Sequence, residues 1–111
     1  MRTPIEIVDA FLAAVRNGDL TDAPVASDVT FEGPRGPRES GKDALGDRLS
    51  VFAGQRRELR IREHVVEGPY VVALVEADTG ESLIPASVWF RLSGGLIKEI
   101  RAFYDPRARV A

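Results

Sequence analysis

Residues 83–106, LIPASVWFRLSGGLIKEIRAFYDP, decide the fold that we predict for this chain. Apolar side chains occupy every second position from Ile84 to Leu92, which is the pattern of a strand with one buried face. Ser93-Gly94-Gly95 supplies turn residues, and the alternation resumes from Leu96 to Tyr104. The stretch therefore predicts two neighbouring strands joined by a tight turn.

Two helices are predicted upstream of this hairpin. Thr3-Pro4-Ile5-Glu6 combines the cap, the proline and the acidic residue of a helix start, and apolar residues recur at helical spacing until Asn17-Gly18. Leu45, Leu49 and Phe52 mark the buried side of a second helix, which ends near Gly54.

Further strands complete the predicted sheet. A brief strand covers residues 28–32, and residues 33–38, GPRGPR, are predicted as an irregular loop. Alternation begins again at Arg57 and continues to Asp78, with a break at Gly68-Pro69. Helices followed by strands predict an α+β fold, with the helices packed on one face of a mostly antiparallel sheet.

Composition narrows the classes of function. The chain has 111 residues and 44% hydrophobic content, so we expect one domain over residues 1–111. A formal net charge of −2 does not favour nucleic acid, and no stretch approaches the roughly 20 apolar residues that span a bilayer. The absence of cysteine and of an apolar leader favours a cytoplasmic location.

The sequence also predicts no metal and no cofactor. A transition-metal site needs three or four nitrogen or sulfur ligands, and the chain has one histidine and no cysteine. It contains no glycine-rich phosphate loop and no nucleophile motif.

The chain resembles the nuclear transport factor 2-like superfamily, and within it the SnoaL-like and ketosteroid-isomerase-like proteins. The resemblance covers nearly the whole chain and rests on the order of the elements and on four runs of residues. These are Asn17-Gly18-Asp19, Val29-Thr30-Phe31-Glu32-Gly33-Pro34, Trp89-Phe90-Arg91-Leu92 and Ile97-Lys98-Glu99-Ile100-Arg101-Ala102-Phe103-Tyr104-Asp105-Pro106. It implies a cystatin-like, cone-shaped roll in which a curved sheet wraps over the N-terminal helices and encloses an apolar pocket.

The resemblance does not transfer the isomerase chemistry. Three positions that carry the catalytic groups of steroid isomerases correspond here to Gly33, Phe11 and Val88. None of these side chains can abstract a proton or donate a hydrogen bond to an enolate. Ala102 likewise stands where limonene-epoxide-hydrolase-like proteins have an aspartate.

The predicted pocket is apolar. The alternation of the strands and the resemblance together predict a lining of Phe11, Phe31, Gly33, Ile61, Tyr70, Val72, Leu74, Ile84, Ala86, Val88, Ile100 and Ala102. On the strand from Tyr70 the choice is open, because the opposite phase, Val71, Ala73, Val75 and Ala77, is wholly apolar and periodicity alone favours it.

Three polar residues are candidates for catalysis. Glu63 shares the inward phase of Ile61, and Glu76 shares the phase of Val72, so either carboxyl group could act as a proton carrier if the pocket raised its pKa. Tyr104 lies at the end of the last strand, where its hydroxyl could donate a hydrogen bond to a ligand, with Tyr70 as an alternative donor. An ion pair or a solvent-exposed position is the structural alternative for the two acids, and His64 is predicted on the outer face.

Apolar residues on the outer phase of the last strands predict a contact surface. We expect a homodimer through the surface formed by Leu83, Pro85, Trp89 and Phe103. Two functions remain open: an acid–base isomerase or cyclase acting on a carbonyl-bearing or polyketide-like apolar metabolite, and a non-catalytic binding or accessory module with the same pocket.

Overall fold

Two helices and one six-stranded sheet form the computed structural model, of which we describe residues 2–34, 36–53, 58–78, 80 and 82–105, without the side chains of 51–53. In chain order the elements are α1 (Pro4–Asn17), β1 (Val25–Gly33), β2 (Gly36–Ser40), α2 (Lys42–Ala53), β3 (Glu58–Glu67), β4 (Tyr70–Asp78), β5 (Leu83–Ser93) and β6 (Leu96–Phe103).

The first helix begins and ends as its sequence predicts. Thr3 is the N-cap, and its hydroxyl accepts a hydrogen bond from the Glu6 backbone N–H while the Glu6 carboxylate accepts one from the Thr3 N–H. Gly18 ends the helix in the left-handed region, at φ 74°, where glycine has no steric cost. One face of α1 is buried against the sheet, through Ile7, Val8, Phe11, Leu12 and Val15.

The sheet is curved, unclosed and mostly antiparallel, which confirms the predicted α+β class. Its strand order is β2-β1-β6-β5-β4-β3. The pairing of β1 with β6 is parallel, and the other four pairings are antiparallel. Both helices contact this sheet, and the largest fully buried side chains include Val8, Phe90 and Ile97. Burial of each such side chain contributes about 1.5–3 kcal/mol.

The prediction of an irregular loop over residues 33–38 is wrong for residues 36–38. Residues 36–40 form β2, which pairs antiparallel with β1 through Gly33↔Gly36 and Thr30↔Ser40. Pro37 lacks a backbone N–H, but β2 lies at the edge of the sheet, where one side of a strand needs no partner.

A bulge in β3 changes which residues face the helices. The register with β4 shifts between Ile61 and Glu63, so an extra residue is accommodated there. Before the bulge, Leu59 pairs with Ala77 and Ile61 with Val75, which belong to the buried phase of β4. After it, His64 pairs with Ala73 of the same phase. The bulge therefore reverses the inward phase along β3.

Candidate functional site

A cavity of about 320 Å³ lies between the two helices and the concave side of the sheet. That volume is at the lower end of the range for small-molecule sites. Most of the residues on its wall are apolar, and three are polar. The wall comprises Phe11, Leu12, Val15, Phe31, Glu32, Gly33, Leu45, Arg48, Leu49, Leu59, Val75, Ala77, Ile84, Ala86, Val88, Ile100, Ala102 and Tyr104.

The pleat of the strands and their register bring these residues together. Side chains opposite one another in a ladder point to the same face of the sheet. Val88 pairs with Ala102 across β5 and β6, and Phe31 pairs with Ile100 across β1 and β6. The Phe11 ring meets Phe90 edge to face at 5.7 Å between centroids, which packs α1 against the sheet beside the cavity.

Most of the lining that the sequence predicted lies on this wall. The structure places there Phe11, Phe31, Gly33, Ile84, Ala86, Val88, Ile100, Ala102 and the catalytic candidate Tyr104. Phe11, Gly33 and Val88, which occupy the positions of the isomerase catalytic groups, therefore all border the cavity.

On β4 the predicted lining is wrong. Tyr70, Val72 and Leu74 lie on the convex face, and the residues of the opposite phase are buried beneath the helices. Tyr70 is 42% exposed and stacks on Trp89, with 5.4 Å between ring centroids. The uninterrupted apolar phase of β4 was the correct indicator, because a strand buries its more apolar face.

Both predicted proton carriers lie outside the cavity. Glu63 is exposed and pairs in the ladder with Leu74 on the convex face, because the bulge after Ile61 reverses the phase. Ile61 itself packs against the core but does not reach the cavity wall, where Leu59 lies instead. Glu76 is on the convex face, with its carboxylate 3.6 Å from Nε of Arg62.

His64 turns inward, contrary to the prediction. Its Nε2 lies 2.7 Å from Oδ1 of Asp9 on α1, and the imidazole is 19% exposed. The pair joins β3 to α1, and neither residue belongs to the cavity wall. The same bulge explains this position, since it exchanges the faces of Glu63 and His64.

The polar residues of the wall are Glu32, Arg48 and Tyr104. The guanidinium of Arg48 lies 5.1 Å above the centre of the Phe31 ring, and its Nη2 is 2.6 Å from Oε2 of Glu39. Glu32 pairs with Arg101 in the ladder, so its side chain points to the convex face, where its carboxylate is 3.1 Å from Nε of Arg101.

Arg48 was missed by the sequence analysis. The signal that marks it is helical spacing, because it follows Leu45 by three positions and precedes Leu49 directly. Both leucines lie on the cavity wall, so their spacing places Arg48 beside them.

The convex face carries aromatic side chains and a carboxylate surrounded by arginines. Arg101 stacks over Trp89 at 4.9 Å, and Leu83 and Phe103 are 48% and 57% exposed. Glu99 is buried and lies within 3.2 Å of nitrogens of Arg38, Arg91 and Arg101.

The pKa of Glu99 reflects this surrounding. Burial raises it, but hydrogen bonds from Arg91 and Arg101 and the charges of Arg101 and Arg38 outweigh burial. The pKa of Glu99 therefore lies below its ordinary value of 4.5.

Comparisons with known proteins identify the family through one family model and the fold through solved structures. The family model described as a SnoaL-like domain matches residues 8–100. No curated protein matches the chain. Within the part of the chain described here, neither helix has the length and apolar character needed to cross a membrane.

Solved structures with the same fold include proteins of different activities. An NTF2-like protein of unknown function from Cytophaga hutchinsonii superposes with a TM-score of 0.83 at 21% identity, over 96% of this chain and 94% of that one. A steroid delta-isomerase from Pseudomonas aeruginosa superposes with a TM-score of 0.78 at 16% identity, over 96% of this chain and 82% of that one. An LEH-like epoxide hydrolase from M. tuberculosis superposes with a TM-score of 0.72 at 24% identity, over 92% of this chain and 82% of that one. At these identities the likeness establishes the fold alone.

Proposed function

Because the chain belongs to the SnoaL-like domain family, we propose that it binds one small, largely apolar molecule in the cavity between its helices and its sheet. The observation that carries the proposal is the composition of the wall, where three polar residues stand among fourteen apolar residues and one glycine. Apolar pockets with a few polar groups are typical of small-molecule sites. Structural neighbours that act on steroids and epoxides support a small organic ligand by analogy.

The proposal is binding rather than acid–base catalysis. Isomerisation or cyclisation of a carbonyl-bearing metabolite needs a group that carries a proton beside the reacting carbon. Glu63 and Glu76, the two carboxyl groups predicted for that role, lie on the convex face. No group that can carry a proton is present at the positions of the isomerase catalytic groups, which are Phe11, Gly33 and Val88 here. Tyr104 remains as a hydrogen-bond donor on the wall, which suits ligand orientation.

An apolar probe, with its binding measured by calorimetry, tests the proposal directly. Titration of the full chain with acetylnaphthalene is expected to give saturable, one-site binding. Ala86→Phe places a ring in the cavity and should weaken binding by at least about tenfold, since it fills the space that the probe needs. Ser93→Phe, on the exposed end of the same strand, is the matched control and should bind as the parent chain does. Equal affinity in both variants, with folding verified by circular dichroism, would place the ligand elsewhere.

We also propose that two copies associate through the convex face of the sheet. Trp89, Tyr70 and Phe103 give this face an aromatic centre, and exposed apolar clusters of this kind favour contact surfaces. The charges on the two sides of the centre differ in sign. Arginines exceed carboxylates around Glu99, whereas carboxylates exceed arginines along β3 and β4, where the group consists of Glu58, Arg60, Arg62, Glu63, Glu67, Glu76 and Asp78. A two-fold axis parallel to the strands and through this centre would bring the basic side of one copy toward the acidic side of the other.

A further inference from the structure

The guanidinium of Arg48 is held at the edge of the cavity by three separate elements. It belongs to α2, it lies over the Phe31 ring of β1, and it forms an ion pair with Glu39 of β2. Gly36 of β2 makes room for it, because a Cβ there would be 2.9 Å from Nη2. A long side chain fixed from three directions presents its donors in a defined geometry.

The charge of Arg48 is compensated without a ligand. In the described part of the chain, Glu39 is the carboxylate that pairs with it, and the carboxylate of Glu32, the acidic residue of the wall, pairs with Arg101 on the convex face. Among the described residues, Arg48 therefore gives the cavity a strong hydrogen-bond donor, and Glu39 balances its positive charge. A guanidinium has five N–H donors, and Glu39 engages it at Nη2, so further N–H groups can serve an oxygen of a ligand.

We propose that the Arg48–Glu39 pair makes the cavity selective for a neutral ligand with a hydrogen-bond-accepting oxygen, such as a ketone, an ester or a lactone, over the corresponding carboxylate. The inference rests on the proposed binding function and names the chemistry of its ligand. A carbonyl oxygen accepts a charge-assisted hydrogen bond from Arg48 without disturbing Glu39. A carboxylate in the same place brings a second negative charge close to that of Glu39, and such like-charge contacts reduce affinity strongly.

Three probes of nearly equal shape separate the hydrogen bond from Arg48 and the repulsion by Glu39. Acetylnaphthalene has a neutral carbonyl oxygen, naphthoate has a carboxylate at the same position, and ethylnaphthalene has no oxygen. Their dissociation constants are measured by calorimetry with the full chain near neutral pH. We expect acetylnaphthalene to bind at least about tenfold more tightly than either of the others, in line with the strength of a hydrogen bond from a charged donor.

Variants of the pair identify the source of the selectivity. In Glu39→Gln the positive charge of Arg48 is no longer compensated, so naphthoate should gain about tenfold while acetylnaphthalene changes little. In Arg48→Met acetylnaphthalene should bind no better than ethylnaphthalene. Gly36→Ala keeps both charges but displaces Nη2, and should weaken acetylnaphthalene without changing ethylnaphthalene. Arg16→Met, on the exposed last turn of α1, removes an arginine away from the cavity and is the control.

The outcomes separate this inference from the proposed function. If all three probes bind the parent chain equally and Arg48→Met changes nothing, the cavity binds ligands but the selectivity proposal is wrong. An unchanged ratio of naphthoate to acetylnaphthalene in Glu39→Gln overturns it as well, because desolvation of a carboxylate alone would persist in that variant. If no probe binds the parent chain, the proposed binding function fails together with the inference. Should Arg48→Met not fold, Glu39→Gln and Gly36→Ala carry the same test.

Discussion

Nε2 of His64 lies 2.7 Å from Oδ1 of Asp9, and this contact joins the central part of β3 to the first helix. The two residues are 55 positions apart in the chain. The bulge between Ile61 and Glu63 makes the contact, since without it His64 would point to the convex face.

The first prediction concerns the strength of this contact. A double-mutant cycle with Asp9→Asn and His64→Phe should give a coupling of about 0.5–1 kcal/mol, as expected for a part-buried hydrogen bond. The free energy of unfolding in urea measures it for the parent chain, both single variants and the double variant. A coupling of zero would mean that the two side chains do not interact in solution.

The second prediction concerns Glu99. Glu99→Gln removes the charge on which three arginines converge, and should lower the free energy of unfolding at neutral pH by about 1.5–3 kcal/mol. Asp28→Asn, which breaks an exposed ion pair with Lys98, should have a much smaller effect.

The third prediction is the pH dependence that follows from the same carboxyl group. The pKa of Glu99 is lower in the folded state than its ordinary value of 4.5, so the ionised group stabilises the folded chain. That stabilisation is complete above pH 4.5 and is lost as the pH falls from there through the folded pKa. Chemical denaturation between neutral and acidic pH should show the loss in the parent chain. The difference between the parent chain and Glu99→Gln should shrink over the same interval, and a constant difference would contradict this account.

Sequence patterns predicted the fold and half of the cavity wall because those features depend on local periodicity. The period of two along β5 and β6 identifies Ile84, Ala86, Val88, Ile100 and Ala102 as one face, and the structure places all five on the cavity wall. Apolar side chains at every second position leave a strand one way to bury them.

The positions of the acidic candidates could not be predicted, for a physical reason that lies in β3. A bulge adds one residue without a consistent mark in the sequence, and a shift by one reverses every following side chain. Glu63 and His64 exchanged faces for this reason. Arg48 was overlooked because a charged residue in a helix is ordinarily solvated, and its contacts with Phe31 and Glu39 depend on the packing of α2 against the hairpin of β1 and β2.

The fourth prediction compares two glycines in that hairpin. A Cβ added at Gly33 has no atom within 4 Å, so Gly33→Ala should raise the free energy of unfolding by about 0.5–1 kcal/mol through the lower entropy of the unfolded chain. A Cβ at Gly36 would lie 2.9 Å from Nη2 of Arg48 and must displace it. Gly36→Ala should therefore raise the free energy of unfolding by less than Gly33→Ala does, or should lower it. Urea unfolding of the two variants provides the comparison, and equal gains would show that the Arg48 head group moves away at no cost.

The fifth prediction tests the proposed dimer through its aromatic centre. Trp89 is flanked by Tyr70 at 5.4 Å and by Arg101 at 4.9 Å, so it lies where two convex faces would meet. Trp89→Glu places a charge there and should convert a dimer into a monomer at micromolar concentration, measured by sedimentation equilibrium, because an unpaired charge is costly to bury in an interface. Arg16→Met, on α1 and away from the convex face, should keep the mass of the parent chain. A parent chain that sediments as a monomer, or a Trp89→Glu variant with the parent's dimeric mass, would exclude association through this surface.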